Sequence, residues 1–136
     1  MQALKPELYT VPTAGSDGIA QLRGGRCACG HVFFPMQTYG CEVCGRTGDD
    51  LQPALLDGRG TLVASARVLL HAAKDRQTPF VVASIRLKDG PVVRTLLAED
   101  STQRMPIGTP LQTRLVKVGR TETGEALVDL RFAPEN

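Results

Sequence analysis

Cys27-Ala28-Cys29-Gly30 and, after residues 31 to 40, Cys41-Glu42-Val43-Cys44-Gly45 form the passage that decides how this chain folds. All four cysteines of the 136-residue chain lie here, and each pair closes on a glycine. Thiolates two or three positions apart on a tight turn bite one ion from one side. The intervening residues are enough for a short hairpin and return. Zinc in a tetrahedral shell of Cys27, Cys29, Cys41 and Cys44 fits this pattern best.

Two disulfides, or an iron centre held by the same sulfurs, are the competing readings. Disulfide frameworks belong to secreted chains, and the opening Met1-Gln2-Ala3-Leu4-Lys5-Pro6-Glu7-Leu8 lacks the basic segment and apolar run of an export signal. A cytoplasmic chain with four free thiols is therefore expected. Cys41 to Cys44 has the regular Cys-x-x-Cys-Gly spacing, whereas Cys27 to Cys29 is one residue short, so the first half of the site is expected to be distorted. Four sulfurs with no open position point to a structural ion that does no chemistry.

At 14.6 kDa and 42% hydrophobic residues the chain can bury one core beside a small metal-stapled module. No stretch approaches the length of a membrane span. The formal charge is +2, and four thiolates with one divalent ion shift it by about −2, which leaves little attraction for nucleic acid. Residues 1–22 hold Pro6, Pro12, Gly15 and Gly18 with no sustained period and read as an extended N-terminal arm. Residues 23–50 form the metal module. Within it Val32-Phe33-Phe34-Pro35-Met36 is an apolar run expected to pack on the neighbouring domain.

From Leu51 the period becomes two. Leu62, Ala64, Ala66, Val68 and Leu70 alternate with Thr61, Ser65 and Arg67, and Val81, Ala83, Ile85 and Leu87 repeat the pattern. A three-residue loop, Lys88 to Gly90, pairs Val93 with Ile85 and Leu97 with Val81, whereas a two-residue turn would bury Arg94. A polar bridge, Glu99 to Pro106, leads to a strand from Pro110-Leu111 to Val118, a turn at Gly119 to Gly124, and a last strand through Ala126, Val128, Leu130 and Phe132 that Pro134 ends. Residues 51–136 thus read as a five-stranded OB-fold barrel, and the chain as mainly β.

Leu22-Arg23-Gly24-Gly25-Arg26-Cys27, Cys29-Gly30-His31-Val32-Phe33-Phe34-Pro35, Cys41-Glu42-Val43-Cys44-Gly45, Gly58-Arg59-Gly60-Thr61, Pro79-Phe80, Leu87-Lys88-Asp89-Gly90-Pro91 and Ile107-Gly108-Thr109-Pro110 occur in that order. With them the chain resembles the DUF35 family over about residues 22 to 133. That resemblance implies an N-terminal rubredoxin-like zinc ribbon, with Cys27, Cys29, Cys41 and Cys44 as zinc ligands, followed by an OB-fold. It further implies a non-catalytic companion of an acyl-CoA enzyme: a thiolase of the lipid-transfer-protein type, a hydroxymethylglutaryl-CoA synthase or a retro-aldol enzyme. The nucleophilic cysteine would sit in that partner, and the barrel would be a docking surface and a passage for the CoA arm.

No nucleophile, base and orienting acid can be assembled from the residues themselves. His31 follows the first knuckle and reads as a turn histidine rather than a ligand, His71 as a loop-entry residue, and Ser65 and Ser84 as ordinary strand hydroxyls. Gly58-Arg59-Gly60 lacks the spacing of a nucleotide cradle and reads as a tight turn. Arg59, Arg67, Arg86, Arg94, Arg104, Arg114 and Arg120 would make an anion stripe only if they shared a face. The rival class is a single-stranded nucleic-acid-binding OB-fold, and it is disfavoured by the absence of tryptophan and the scarcity of aromatics in the barrel. An iron-loaded ribbon carrying electrons is a third possibility. The favoured reading is a zinc-binding hetero-oligomer subunit, without catalytic residues of its own, that buries Phe33, Phe34 and Met36 against a thiolase-like catalytic chain of a degradative pathway, acyl-CoA lying at the interface.

Overall fold

Val81, Ala83, Ile85 and Leu87 are all buried, as a strand of period two covered on one side requires. They belong to a chain built almost wholly of β-structure. The computed structural model describes residues 1–13, 15, 17–68, 80–98 and 105–135. Within them the strands are β1 (Gln2–Ala3), β2 (Leu22–Cys27), β3 (Val32–Phe33), β4 (Leu51–Leu56), β5 (Arg59–Val68), β6 (Phe80–Leu87), β7 (Val92–Leu96), β8 (Pro110–Arg120) and β9 (Ala126–Pro134), with one 3-10 turn at Gly48–Asp50.

One sheet runs β1-β9-β8-β5-β6-β7, and a smaller one runs β3-β2-β4. The large sheet curls on itself. Just past β7, Leu97 bridges in parallel to Phe132 of β9, and the Ala98 N–H donates to the Phe132 carbonyl at 2.8 Å. Strands β5 to β9 therefore have the strand order of an OB-fold barrel, the expected class. The β6–β7 register is the expected one: Ile85 faces Val93, the Leu97 N–H donates to the Val81 carbonyl at 3.0 Å, and Gly90 takes the positive φ of 120° that closes a three-residue loop.

The alternation expected for the first barrel strand fails after Leu62. A bulge shifts the register between Leu62 and Ala64, so Ser65 and Arg67 come opposite the buried Ala83 and Val81, and Ala64, Ser65, Ala66 and Arg67 are all exposed. A single extra residue reverses the phase of every later side chain, and small apolar residues on the wrong face conceal the change. Leu70, His71, Arg104 and most of the Glu99–Pro106 bridge lie outside the described residues. The mixed alternation of β8 also has a cause. Thr113 sits at an inward position, and its hydroxyl donates to the Ala20 carbonyl at 2.8 Å.

The small sheet is joined to the barrel through its own strands. Leu22 of β2 and Leu56 of β4 enter the same core as Leu62, Ile85, Leu111 and Phe132, with Val32 and Phe34 packed against it. Toward the cysteines the same strands reach a second, minor cluster of Cys27, Phe33, Cys41 and Leu51. Gly25 allows this closeness, because a Cβ there would lie 2.4 Å from the Phe33 ring and 2.6 Å from the Met36 sulfur.

The N-terminal stretch is held by its own chain. Ala3 pairs with Val128, Tyr9 bridges to Leu22, and both Ala3 and Tyr9 are buried. The Tyr9 hydroxyl lies 3.0 Å from the Val128 carbonyl and 3.2 Å from Asp129 Oδ1. Burial acts to raise the pKa of Asp129, but the Arg131 guanidinium, the nearby Lys5 charge and the Leu130 N–H outweigh it and hold the carboxyl below its ordinary value. Arg59 adds a second tie, meeting Asp17 at 3.1 Å and Asp57 at 3.3 Å.

Three substitutions test this packing. Gly58→Ala would bring a Cβ to 2.1 Å from the Ala20 carbonyl oxygen; thermal unfolding should show a loss of about 1–3 kcal/mol. Gly119→Ala, with nothing within 4 Å, should be silent. A depressed carboxyl stabilises the fold above its unfolded pKa of about 3.9 and ceases to do so as pH falls through the lower folded value. Asp129→Asn should therefore be less stable at neutral pH and show a shallower acid limb in urea unfolding between about pH 5 and 2.

Candidate metal centre

Four thiols converge at the far end of the small sheet. The Sγ atoms of Cys27 and Cys44 are 3.5 Å apart, those of Cys29 and Cys41 are 3.8 Å apart, and all four lie within 4.8 Å of one another. A tetrahedron of sulfurs about 2.3 Å from a central ion has edges of about 3.8 Å, so the spacing suits one ion and is far too long for disulfides. All four cysteines are free.

Each pair is set by a turn closed on a left-handed glycine. The Gly30 N–H donates to the Cys27 carbonyl at 2.8 Å, and the Gly45 N–H to the Cys41 carbonyl at 2.9 Å; Gly30 has φ of 98° and Gly45 of 80°. The missing residue makes the first turn one step tighter, and its sulfurs still face those of the second. Cys27 and Cys41 are buried and Cys29 and Cys44 are exposed, so the ion would be sunk on one side only.

The thiols do not share one acidity. The Arg46 N–H and its guanidinium draw Cys44 down to about 6, and the Cys44 and Val43 N–H groups help to lower Cys41 against the cost of burial. At Cys27 the Cys29 N–H favours the thiolate, but burial and the neighbouring sulfurs prevail and push it up to about 12. A cation supplied by a metal removes that conflict, since it is the attraction four crowded thiolates lack. The donor set therefore fits a tetrahedral all-sulfur ion, with Arg46 offsetting part of its excess negative charge. Arg46 was not singled out from the sequence, although a basic residue directly after the Cys44-Gly45 knuckle was the available signal.

Other sequence candidates fall elsewhere. His31 Nε2 meets Glu42 Oε1 at 2.7 Å, and the ring stacks on Phe33 with centroids 6.3 Å apart, so it pairs with a carboxylate rather than filling a ligand position. Ser84 lies on the outer face of β6 opposite Arg94, and Ser65 faces Ala83. Among the described residues the arginines form no single stripe: Arg59 is bound to acids, Arg67 pairs across from Val81 at the far end of β5, and Arg120 donates to the Gly124 carbonyl. Arg86 and Arg94 do share the outer face of β6 and β7. Gly58 and Gly60 are places of close packing rather than a left-handed turn. The docking role expected for Phe33 is overturned, because only 7% of it is exposed and the ribbon's own cluster holds it; Phe34 and Met36 are half-buried against the chain as well. No helix among the described residues is long and apolar enough to cross a membrane.

No family model matches the chain. A curated relative from Pyrococcus furiosus, named DUF35 domain-containing scaffold protein, is 25% identical over 116 residues, covering 84% of this chain and 83% of the relative. A solved structure of an Ltp2-ChsH2(DUF35) aldolase superposes with a TM-score of 0.62 at 22% identity, covering 82% of this chain and 84% of that one, which shows a shared fold. The relative's sequence, the shared fold and the gathered thiols together bear out the resemblance of this chain to the DUF35 family.

Proposed function

We infer that this chain is a scaffold subunit: a zinc-stapled ribbon and an OB-fold barrel that hold a thiolase-like catalytic chain acting on acyl-CoA thioesters in a degradative pathway of the cytoplasm. The observation that carries this reading is the closed set of Cys27, Cys29, Cys41 and Cys44, all of one donor type, joined through β2 and β4 to the barrel core. Zinc bound by four thiolates has no open position for substrate, so its contribution is to folding. The relative's name, a DUF35 scaffold protein, and the name of the solved structure that shares the fold, an aldolase, support an accessory part beside an enzyme. Residues 23–50 would be the ribbon, whose sheet β4 completes, the barrel would follow from β5 onward rather than from Leu51, and residues 1–22 would be the arm that fastens the two.

As a scaffold, the chain would act through shape. Its barrel and ribbon bury surface against the catalytic subunit and fix the closure of that subunit's substrate cavity, with the acyl-CoA lying near the boundary. The chemistry of bond cleavage or formation would belong to the partner's nucleophile.

Replacing Cys41 and Cys44 together by serine should abolish metal content, measured by elemental analysis as one zinc per wild-type chain and none in the variant. Near-wild-type far-ultraviolet dichroism of the barrel strands should remain. The variant should no longer co-purify with the co-expressed thiolase-like chain, and acyl-CoA turnover by the mixture should fall to that of the partner alone. Full binding and full turnover with a metal-free ribbon would contradict the reading.

A further inference from the structure

Strand β7 has one edge paired and one edge open. The Leu97 N–H points to Val81 of β6, so in an antiparallel ladder the odd residues of β7 also face β6, and Val92, Arg94 and Leu96 aim their main-chain N–H and C=O groups away from it. The next outward N–H along the chain, that of Ala98, is taken by Phe132 where the barrel closes. Before that point β7 and β9 splay, and among the described residues nothing hydrogen-bonds the outward groups of Val92, Arg94 and Leu96.

The facing stretch of β9 is treated differently. The Leu130 N–H is taken by Asp129 Oδ1 at 2.9 Å, and its carbonyl by the Arg131 guanidinium at 3.2 Å. Two side chains cover the β9 edge, while among the described residues none caps the outward main-chain groups of β7 in that way. A cavity of about 230 Å³ lies along it, bordered by Val93 to Leu96, Lys5 and Phe34. A second hollow, bounded by His31, Val32, Glu42 and Asp89 to Val92, lies toward the hairpin turn and shares Phe34 with this trench.

The lining defines the occupant. Free main-chain groups at alternate residues call for a strand rather than a helix. Lys5, Arg94 and Arg131 border the trench against a single carboxylate, Asp129, which Arg131 binds; the cations outnumber the acid, so the strand carries carboxylates. Phe34 and Leu8 offer an apolar floor for side chains on its other face. A second copy of this chain fits poorly, because antiparallel pairing of two β7 edges about Arg94 would set arginine against arginine.

We propose that the open edge of β7 takes an extended, acidic segment of the catalytic partner as an added strand. The proposal rests on the scaffold reading and names the surface that reading requires in place of Phe33.

The test uses the full chain alone and in complex with the co-expressed thiolase-like chain. Amide hydrogen exchange of Val92, Arg94 and Leu96 is expected to be fast in the free chain and to slow by about tenfold or more in the complex, while Val93 and Thr95 are protected in both. Arg94→Pro removes an outward donor without touching the bonds to β6, and it should weaken the complex by about tenfold or more, with Arg94→Ala weakening it less. A complex in which the three amides stay fast, or which Arg94→Pro leaves at full affinity, overturns the proposal and spares the scaffold reading. Should Arg94→Pro fail to fold, the exchange of the wild-type chain decides. Concentration-dependent dimers of the isolated chain with the same amides protected would assign the edge to a second copy and overturn the proposal. No complex with the wild-type chain would overturn both readings.

Discussion

Four sulfurs within 4.8 Å of one another, placed to share one ion, are the constraint on which the account of the smaller of two sheets depends. The ribbon's own apolar cluster holds only Cys27, Phe33, Cys41 and Leu51, with Met36 against it, and two of those residues are ligand candidates themselves. Such a cluster cannot offset the ordering of the loops around it, whereas binding of a structural zinc ion contributes about 10–16 kcal/mol in small zinc modules. Strands β2 and β4 carry that constraint into the barrel, since they reach the sulfurs at one end and place Leu22 and Leu56 in the main core at the other. The arm adds a further tie through Tyr9, which bridges to β2 and reaches the β9 carbonyl of Val128.

Much of this was legible in the residues. Cysteine spacing located the site, because a closed four-sulfur shell needs two tight turns and the glycines after each pair supply them. Periodicity found β6 and β9, where Val81, Ala83, Ile85 and Leu87, and Val128, Leu130 and Phe132, are all buried. The β6–β7 register followed from the cost of burying Arg94.

What was not legible is non-local. The bulge beyond Leu62 has no signature in Val63-Ala64-Ser65-Ala66, and the partnership of Tyr9, Asp129 and Arg131 joins residues some 120 positions apart in the chain. Phe33 looked like a docking residue because an apolar run carries no mark of which surface it will meet. Its burial in the ribbon's own cluster and the closeness of Gly25 show that the ring is used internally. The sulfur acidities depend on Arg46 and on individual amides, and those emerge only once the turns have formed.

The same architecture frames the functional reading. Under the scaffold reading the four cysteines serve structure, Phe33 belongs to the ribbon's own cluster, and the edge of β7 is the proposed meeting place with a partner. The most direct test of the central claim is zinc K-edge X-ray absorption on the purified complex. The account predicts four sulfur neighbours at about 2.3 Å, unchanged when acyl-CoA is added. Nitrogen or oxygen in the first shell, or a neighbour that changes with substrate, would contradict a closed structural ion.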